Sequence, residues 1–286
     1  GDVEKPKLGL SDEMYAKLVG RVDMVIHTAA KVSHAGHYED FERTNVIGTQ
    51  NVIEFCKESG AVLQHTSTAS VSGSGTVEQR LQDVEFNEFC LNIGQKYKQN
   101  VYIHSKYKAE ELVLIARSEG LKANIFRIGN LTWRIHDGKF QINAGSNGFV
   151  QRIRGLLKLG IYGEQLADYT IDFTPVDACA RAYVGLCFHK KVNNVYHMYN
   201  HHTYSIQTLS KMFSFRIKEV PQNEFERKLR GCKDDKDVAV LGFYNSMAAV
   251  SREIPISSDF TVNELRKLGF KWPKAGLRYL RFLKGI

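Results

Sequence analysis

A chain of 286 residues can form one large domain, or a main domain with an appended lobe. Hydrophobic residues at 43% and charged residues at 24% are ordinary for a soluble globular protein; the longest apolar runs fall well short of a membrane span, and no signal peptide is visible. The formal charge of +8 would suit nucleic acid, but no basic block interleaves with aromatics. It reads either as a generally basic surface or as attraction to a phosphorylated substrate or an acidic partner protein. Cys56, Cys90, Cys179, Cys187 and Cys232 form no C-x-x-C pair, so they read as reduced thiols of a cytoplasmic protein and not as a zinc site or disulfide frame.

In chain order, residues 22–27 are a short apolar run ending in Thr28-Ala29-Ala30, as expected of a buried parallel strand that opens onto a ligand crevice. Residues 40–59 have helical periodicity and stop at Gly60. A strand over 61–66 leads to Ser67-Thr68-Ala69-Ser70 at its carboxyl end. Residues 72–100 are polar and weakly periodic, an excursion loop with local helix. A helix over 102–118 precedes a strand over 123–128 and then Gly129-Asn130-Leu131. Residues 134–148 read as a loop, 150–159 as a basic amphipathic helix, 171–174 as a strand, 176–188 as a helix and 195–199 as a further strand. Beyond 203 the chain reads as short helices, including 261–268 and 277–283. Alternating strands and helices predict an α/β fold with a parallel, doubly wound sheet.

Tyr102 and Lys106, four residues apart, share a helix face. A free Tyr has a pKa of about 10, so acid-base work near pH 7 needs a shift worth about 4 kcal/mol. A unit charge about 4 Å away supplies roughly that at an effective dielectric of 20. One lysine is therefore sufficient, and a hydroxyl at Thr68 would complete a hydrogen-bonding site for a carbonyl oxygen. The alternatives are a solvated lysine, and a Thr68 that only satisfies its own loop. In doubly wound folds the ligand lies beyond the carboxyl ends of the strands, which brings Thr28-Ala29-Ala30, Thr68 and Gly129-Asn130-Leu131 together.

These pieces resemble the extended short-chain dehydrogenase/reductase superfamily, with its Rossmann-type sheet. Asp2-Val3 resembles the adenine contact, His27-Thr28-Ala29-Ala30 the fourth-strand motif, Thr44 to Thr49 the following helix, and Thr66-Ser67-Thr68-Ala69-Ser70-Val71 the catalytic strand. Arg127-Ile128-Gly129-Asn130-Leu131 resembles the segment lining the nicotinamide. Leu8-Gly9-Leu10-Ser11, Ser105-Lys106-Tyr107-Lys108-Ala109-Glu110, residues 171–177 and Leu268-Gly269-Phe270-Lys271-Trp272-Pro273 narrow the likeness to the terminal thioester reductase domains of nonribosomal peptide synthetases and carboxylic acid reductases. The resemblance implies Thr68, Tyr102 and Lys106 as catalytic residues. It implies Asp2, Val3, Thr28, Ala29, Ala30, Asn45, Thr66, Ser67, Tyr102, Lys106, Arg127, Gly129, Asn130 and Leu131 as cofactor contacts. Asn45 could equally be an ordinary helix-surface amide.

By the same resemblance the cofactor is NADPH and the partner a carrier domain in the same polypeptide, presenting an acyl or peptidyl phosphopantetheine thioester to a monomeric cytoplasmic reductase domain. Residues 1–135 and 166–202 would form the cofactor domain, and 136–165 and 203–286 a smaller, mainly helical lobe that binds substrate and carrier. The basic helix, with Arg152, Arg154 and Lys158, is expected near the substrate entrance as a docking face. The superfamily's opening G-x-x-G-x-x-G turn does not occur in this sequence, so about two β-α units are expected to be missing. The chain alone is accordingly expected to bind NADPH weakly. A nucleotide-sugar epimerase or dehydratase on the same scaffold, and a non-catalytic cofactor-sensing or carrier-binding module, are the competing readings. No metal site is expected, since the ten histidines lack ligand spacing.

Overall fold

Ser11 begins helix α1 (Asp12–Val19) by accepting a hydrogen bond from the Met14 amide at 3.3 Å. The computed structural model describes residues 1–32, 36–76, 84–189, 191–213, 217–252 and 254–282. Strand β1 (Met24–His27) follows. The expected helix over 40–59 divides into one turn at Tyr38–Phe41, a π-helix over Glu42–Ile47 and α2 (Gly48–Ser59). The π turn carries the buried Asn45, and Gly60 closes α2 at φ 72°.

Strand β2 (Val62–Thr68) ends in a single 3-10 turn, Ala69–Ser72. Of the expected excursion, residues 77–83 lie outside the described ones, and 84–100 are turns and isolated bridges without helix. Helix α3 (Val101–Ser118) starts at Asn100, whose Oδ1 accepts from the Tyr102 and Ile103 amides. Strand β3 (Ala123–Ile128) and helix α4 (Gly148–Leu159) come next, α4 capped by Asn147 and closed by Gly160 at φ 67°. The strand expected over 171–174 is two short ones, Thr170–Ile171 and Thr174–Pro175, with different partners. Between them the Asp172 carboxylate binds Asn130 instead of continuing a ladder. Helix α5 (Val176–Cys187) and strand β4 (Val195–Met198) complete the alternation; helices α6 (Ile206–Phe213), α7 (Gln222–Gly231), α8 (Lys236–Val250) and α9 (Asp259–Lys267) follow.

These four strands form one sheet in the order β1-β2-β3-β4, all parallel. Side chains alternate between the two faces. Leu63, Ala123 and Ile125 pack with Val52, Phe55 and Val113 of α2 and α3, while Phe126, Tyr196 and Met198 pack with Ala182 and Leu186 of α5. Burial of both faces is why β3 carries the apolar residues Ile125 and Phe126 at successive positions.

A second core joins Phe149, Ile153 and Leu156 of α4 to Phe225, Leu229, Val238 and Leu241. Trp133, Leu166, Ile171 and Phe173 belong to this core, although the sequence boundaries assign them to the sheet domain. Leu265 and Trp272 belong to the sheet core, although the boundaries assign them to the lobe. The chain crosses between the cores inside segments that look continuous, so we place the boundary by packing. Trp272 is 5% exposed and Gly269, just past α9, has φ 73°, so this segment stops the helix and anchors it with an aromatic side chain.

Candidate active site

Parallel pairing of His27 with His65 and of Thr68 with Ile128 carries Thr28-Ala29-Ala30, Thr68 and Gly129 to the same edge of the sheet. Thr28 and Ala29 are exposed there. Helix α3 lies against β2 and is tied to it at Lys106, whose side chain is 3% exposed and whose Nζ donates to the Thr66 carbonyl at 2.7 Å. The other two Nζ–H groups have no acceptor among the described residues. Burial lowers the Lys106 pKa to about 8, against the opposing pull of Glu110 one turn on. Lys106 thus keeps its charge at pH 7. His27 and His65 stand on neighbouring strands, their rings 5.6 Å apart, and burial holds both neutral, His27 at about 4. The positive charge at this spot therefore belongs to Lys106.

Tyr102 sits one turn before Lys106 and is half-buried. Thr68 is 7% exposed, and its hydroxyl accepts from the Ser70 amide at 3.2 Å while keeping its own hydrogen to donate. Asn45 is 1% exposed. Its Oδ1 accepts from the Lys31 amide at 2.8 Å, and its Nδ2 donates to the Lys31 carbonyl and to Ser105 Oγ, at 3.0 and 2.8 Å. Asn45 is thus a strut between the loop after β1 and α3, and Ser105, given no site role in the sequence reading, is its partner.

Arg127 and Ser67, expected as cofactor contacts, lie on the α3 side of the sheet in a closed network. Arg127 pairs with Glu110 at 2.6 Å, the two side chains 1% and 0% exposed. The Arg127 Nε and Nη2 donate to Glu110 Oε1, Nη1 to the Asn87 carbonyl and to His197, and Nη2 to the Cys90 carbonyl. All five N–H donors are therefore used within the protein. Ser67 Oγ donates to the other carboxylate oxygen of Glu110 at 2.7 Å. This network pins residues 87–90 of the excursion to β3 and α3. Thr66 turns its hydroxyl the other way, to Tyr183 at 2.9 Å, and offers only its carbonyl to Lys106. Glu110 follows Lys106 by four residues, a spacing that could have flagged it as facing the same way.

Gly129 lies where an added Cβ would come within 2.4 Å of the Tyr199 Cβ, so no side chain fits. The Asn130 amide donates to Asp172 at 2.9 Å, and Leu131 enters a two-residue strand. Asp2 is exposed, and the Val3 carbonyl accepts from Asn51 of α2 at 2.7 Å. Asp177 lies in the first turn of α5 and accepts from the Ile135 amide at 3.1 Å, a structural helix-start position. The described residues hold no metal-ligating cluster.

The basic helix is not the free charged face expected of it. Arg152 is 6% exposed, its guanidinium 4.9 Å from the Tyr169 ring centre and bonded to the Tyr169 hydroxyl at 3.1 Å. Lys158 bridges Asp235 and Asp237 at 2.7 and 2.8 Å. These cations hold α4 to its own lobe because the helix packs along α8. Arg152→Glu is expected to cost about 2 kcal/mol, since it buries a carboxylate against a ring and removes a charged hydrogen bond. It should lower the melting temperature; an unchanged melting temperature would contradict this placement.

Residues 1–183 match the model of the family described as "Male sterility protein", an NAD-binding family. The chain belongs to that family. It is 30% identical over 207 residues to a linear gramicidin synthase polypeptide of Brevibacillus parabrevis, covering 70% of this chain and 4% of that much longer one. Among solved structures, the thiolation-reductase di-domain of an archaeal non-ribosomal peptide synthetase superposes with a TM-score of 0.81 at 28% identity, covering all of this chain and 60% of that one. The aureusimine biosynthetic cluster reductase domain gives 0.79 at 28%, over 92% and 68%. This male sterility family and these neighbours are NAD(P)-dependent reductases of the extended short-chain dehydrogenase/reductase type, the membership that Thr68, Tyr102 and Lys106 had implied. Among the described residues, no helix is long and apolar enough to cross a membrane.

Proposed function

We propose that this chain reduces the thioester of an acyl or peptidyl group held on the phosphopantetheine arm of a carrier domain in the same polypeptide, releasing an aldehyde, with NADPH as reductant. The observation that carries this reading is the buried Lys106 ammonium, bound to the carbonyl of Thr66 on β2, the strand that ends at Thr68, and set one helical turn after Tyr102. The likeness to a thiolation-reductase di-domain supports the carrier, and the five free cysteines suit a cytoplasmic setting.

The residues present fit a dinucleotide at its nicotinamide end. The spare Lys106 N–H groups suit ribose hydroxyls, Thr28, Ala29 and Ala30 leave only small side chains at the end of β1, Asn130-Leu131 would line the nicotinamide after β3, and Asp2 and Val3 would receive the adenosine. When bound, the cofactor supplies the hydride that the thioester carbon accepts. Tyr102 donates its proton to the oxygen as charge develops there, and the Thr68 hydroxyl is the second donor. The Lys106 charge lowers the Tyr102 pKa and so eases that transfer. The hemithioacetal then collapses: its C–S bond breaks, the thiolate leaves and takes up a proton, and the hydroxyl becomes the aldehyde carbonyl. Asn45 and Ser105 hold α3 in place while this occurs.

The test is incubation of the acyl-loaded carrier-reductase polypeptide with NADPH. One aldehyde, trapped as its hydrazone, should appear for each NADPH consumed. No aldehyde and no NADPH oxidation would reject the reading.

Lys106→Met is expected to weaken NADPH binding at least tenfold and to move the alkaline limb of the activity profile to higher pH, because Tyr102 then keeps its ordinary pKa near 10. In the wild type, Lys106 itself loses its proton near pH 8, so cofactor affinity should fall as pH rises through that value. Calorimetry and rate-pH profiles check this, and an unchanged affinity and profile would make Lys106 merely structural.

A further inference from the structure

Beside Thr68 the strand ends open on a cavity of about 470 Å³, large enough for an extended acyl chain. Ala69, the residue after Thr68, is part of its lining, which is of two chemical kinds. Tyr199, Ile254, Pro255 and Ile256 form an apolar wall. Asp168, Thr170, Asp172, His201 and Thr203 are the polar part of the same lining. The lining thus contains two carboxylates and neither lysine nor arginine, in a chain of formal charge +8.

The two carboxylates are not equivalent. Asp172 is occupied: its oxygens accept from the Asn130 amide and side chain and from the Thr174 hydroxyl. Asp168 is exposed and has no hydrogen bond or ion pair among the described residues. His201 offers it no charge, since burial and the neighbouring His202 lower its pKa. A lining that combines apolar side chains with an uncompensated carboxylate suits a chain that is hydrocarbon along its length and cationic at one point.

We propose that this cavity reads the acyl group and that Asp168 selects chains bearing a protonated amine over neutral chains of the same shape, and neutral chains over carboxylates. The inference rests on the thioester-reductase reading and names its substrate class. A partly solvated ion pair is modest, so the preference of amine over neutral chain should be about threefold to tenfold in kcat/KM and should shrink with salt.

The experiment compares 6-aminohexanoyl, heptanoyl and adipoyl thioesters of pantetheine with the wild-type protein, Asp168→Asn and Asp168→Lys. Wild type should rank them amine, neutral, carboxylate; Asp168→Asn should bring the ratios close to one, and Asp168→Lys should reverse the order. Equal ratios in wild type, or an order kept by Asp168→Lys, overturn the inference, while reduction of heptanoyl-pantetheine leaves the thioester reading standing. The same three chains linked as non-reducible amides, titrated by calorimetry, separate the two failures. If no thioester is reduced but amide binding follows Asp168, the reaction assigned above falls and the charge-selective cavity stands. Amide binding indifferent to Asp168 overturns the cavity assignment whatever the turnover.

Discussion

Tyr102→Phe is expected to lower turnover by about 10²–10⁴-fold, the usual worth of a positioned proton donor. The substitution removes one hydroxyl from a half-buried ring whose helix is held by other groups: Asn100 at its start, Lys106 on Thr66, Ser105 on Asn45 and Glu110 on Arg127. The melting temperature should therefore stay within a degree or two of wild type, and NADPH affinity should change little while Lys106 remains. Steady-state kcat with a carrier-bound or pantetheine thioester measures the effect. A folded Tyr102→Phe protein with near-wild-type aldehyde formation would remove Tyr102 from the chemistry and leave Thr68 as the donor to test next.

The second large effect concerns stability. Glu110→Ala strips the counter-charge from Arg127, which is 1% exposed, and leaves the Ser67 hydroxyl without its acceptor. Breaking a buried ion pair from one side costs about 3–5 kcal/mol, because a charge is left uncompensated in low dielectric. Against a domain stability of about 5–15 kcal/mol, that is a large share. Urea denaturation should show a midpoint far below wild type, with residues 87–90 more open to proteolysis because Arg127 holds the carbonyls of Asn87 and Cys90. Replacing both partners by leucine should be milder than Glu110→Ala, since no charge is then stranded. A Glu110→Ala protein within about 1 kcal/mol of wild type would show that the network contributes little.

Much of the sheet and of the active helix could be read from the chain, because both depend on short-range periodicity. Apolar runs ending in small residues at 28–30, 68 and 129 mark the carboxyl ends of β1, β2 and β3, and their parallel register brings those ends together. The Tyr102–Lys106 spacing already places both groups on one face of α3. The π turn at Glu42–Ile47 was hidden, since a single wide turn barely alters a helical pattern.

Which neighbour each side chain meets was settled only by the tertiary structure. Successive residues of a strand face opposite sides, so Thr66 reaches Tyr183 while Ser67 reaches Glu110, and no local pattern says which helix lies on which side. For the same reason Arg127, expected with Ile128-Gly129-Asn130-Leu131 to line the nicotinamide, is turned into the α3 layer and fully bonded there. The basic residues of α4 look alike as a string, yet packing against α8 and Tyr169 consumes Arg152 and Lys158. The cavity beside Thr68 draws its walls from residues near 69, 129, 168–172, 199–203 and 254–256. The sequence alone therefore determined the strand ends and the Tyr102–Lys106 face, whose geometry is complete within a few residues; the free carboxylate at Asp168 and the buried pair at Arg127 were decided by tertiary structure, because each depends on groups that meet only after distant segments pack.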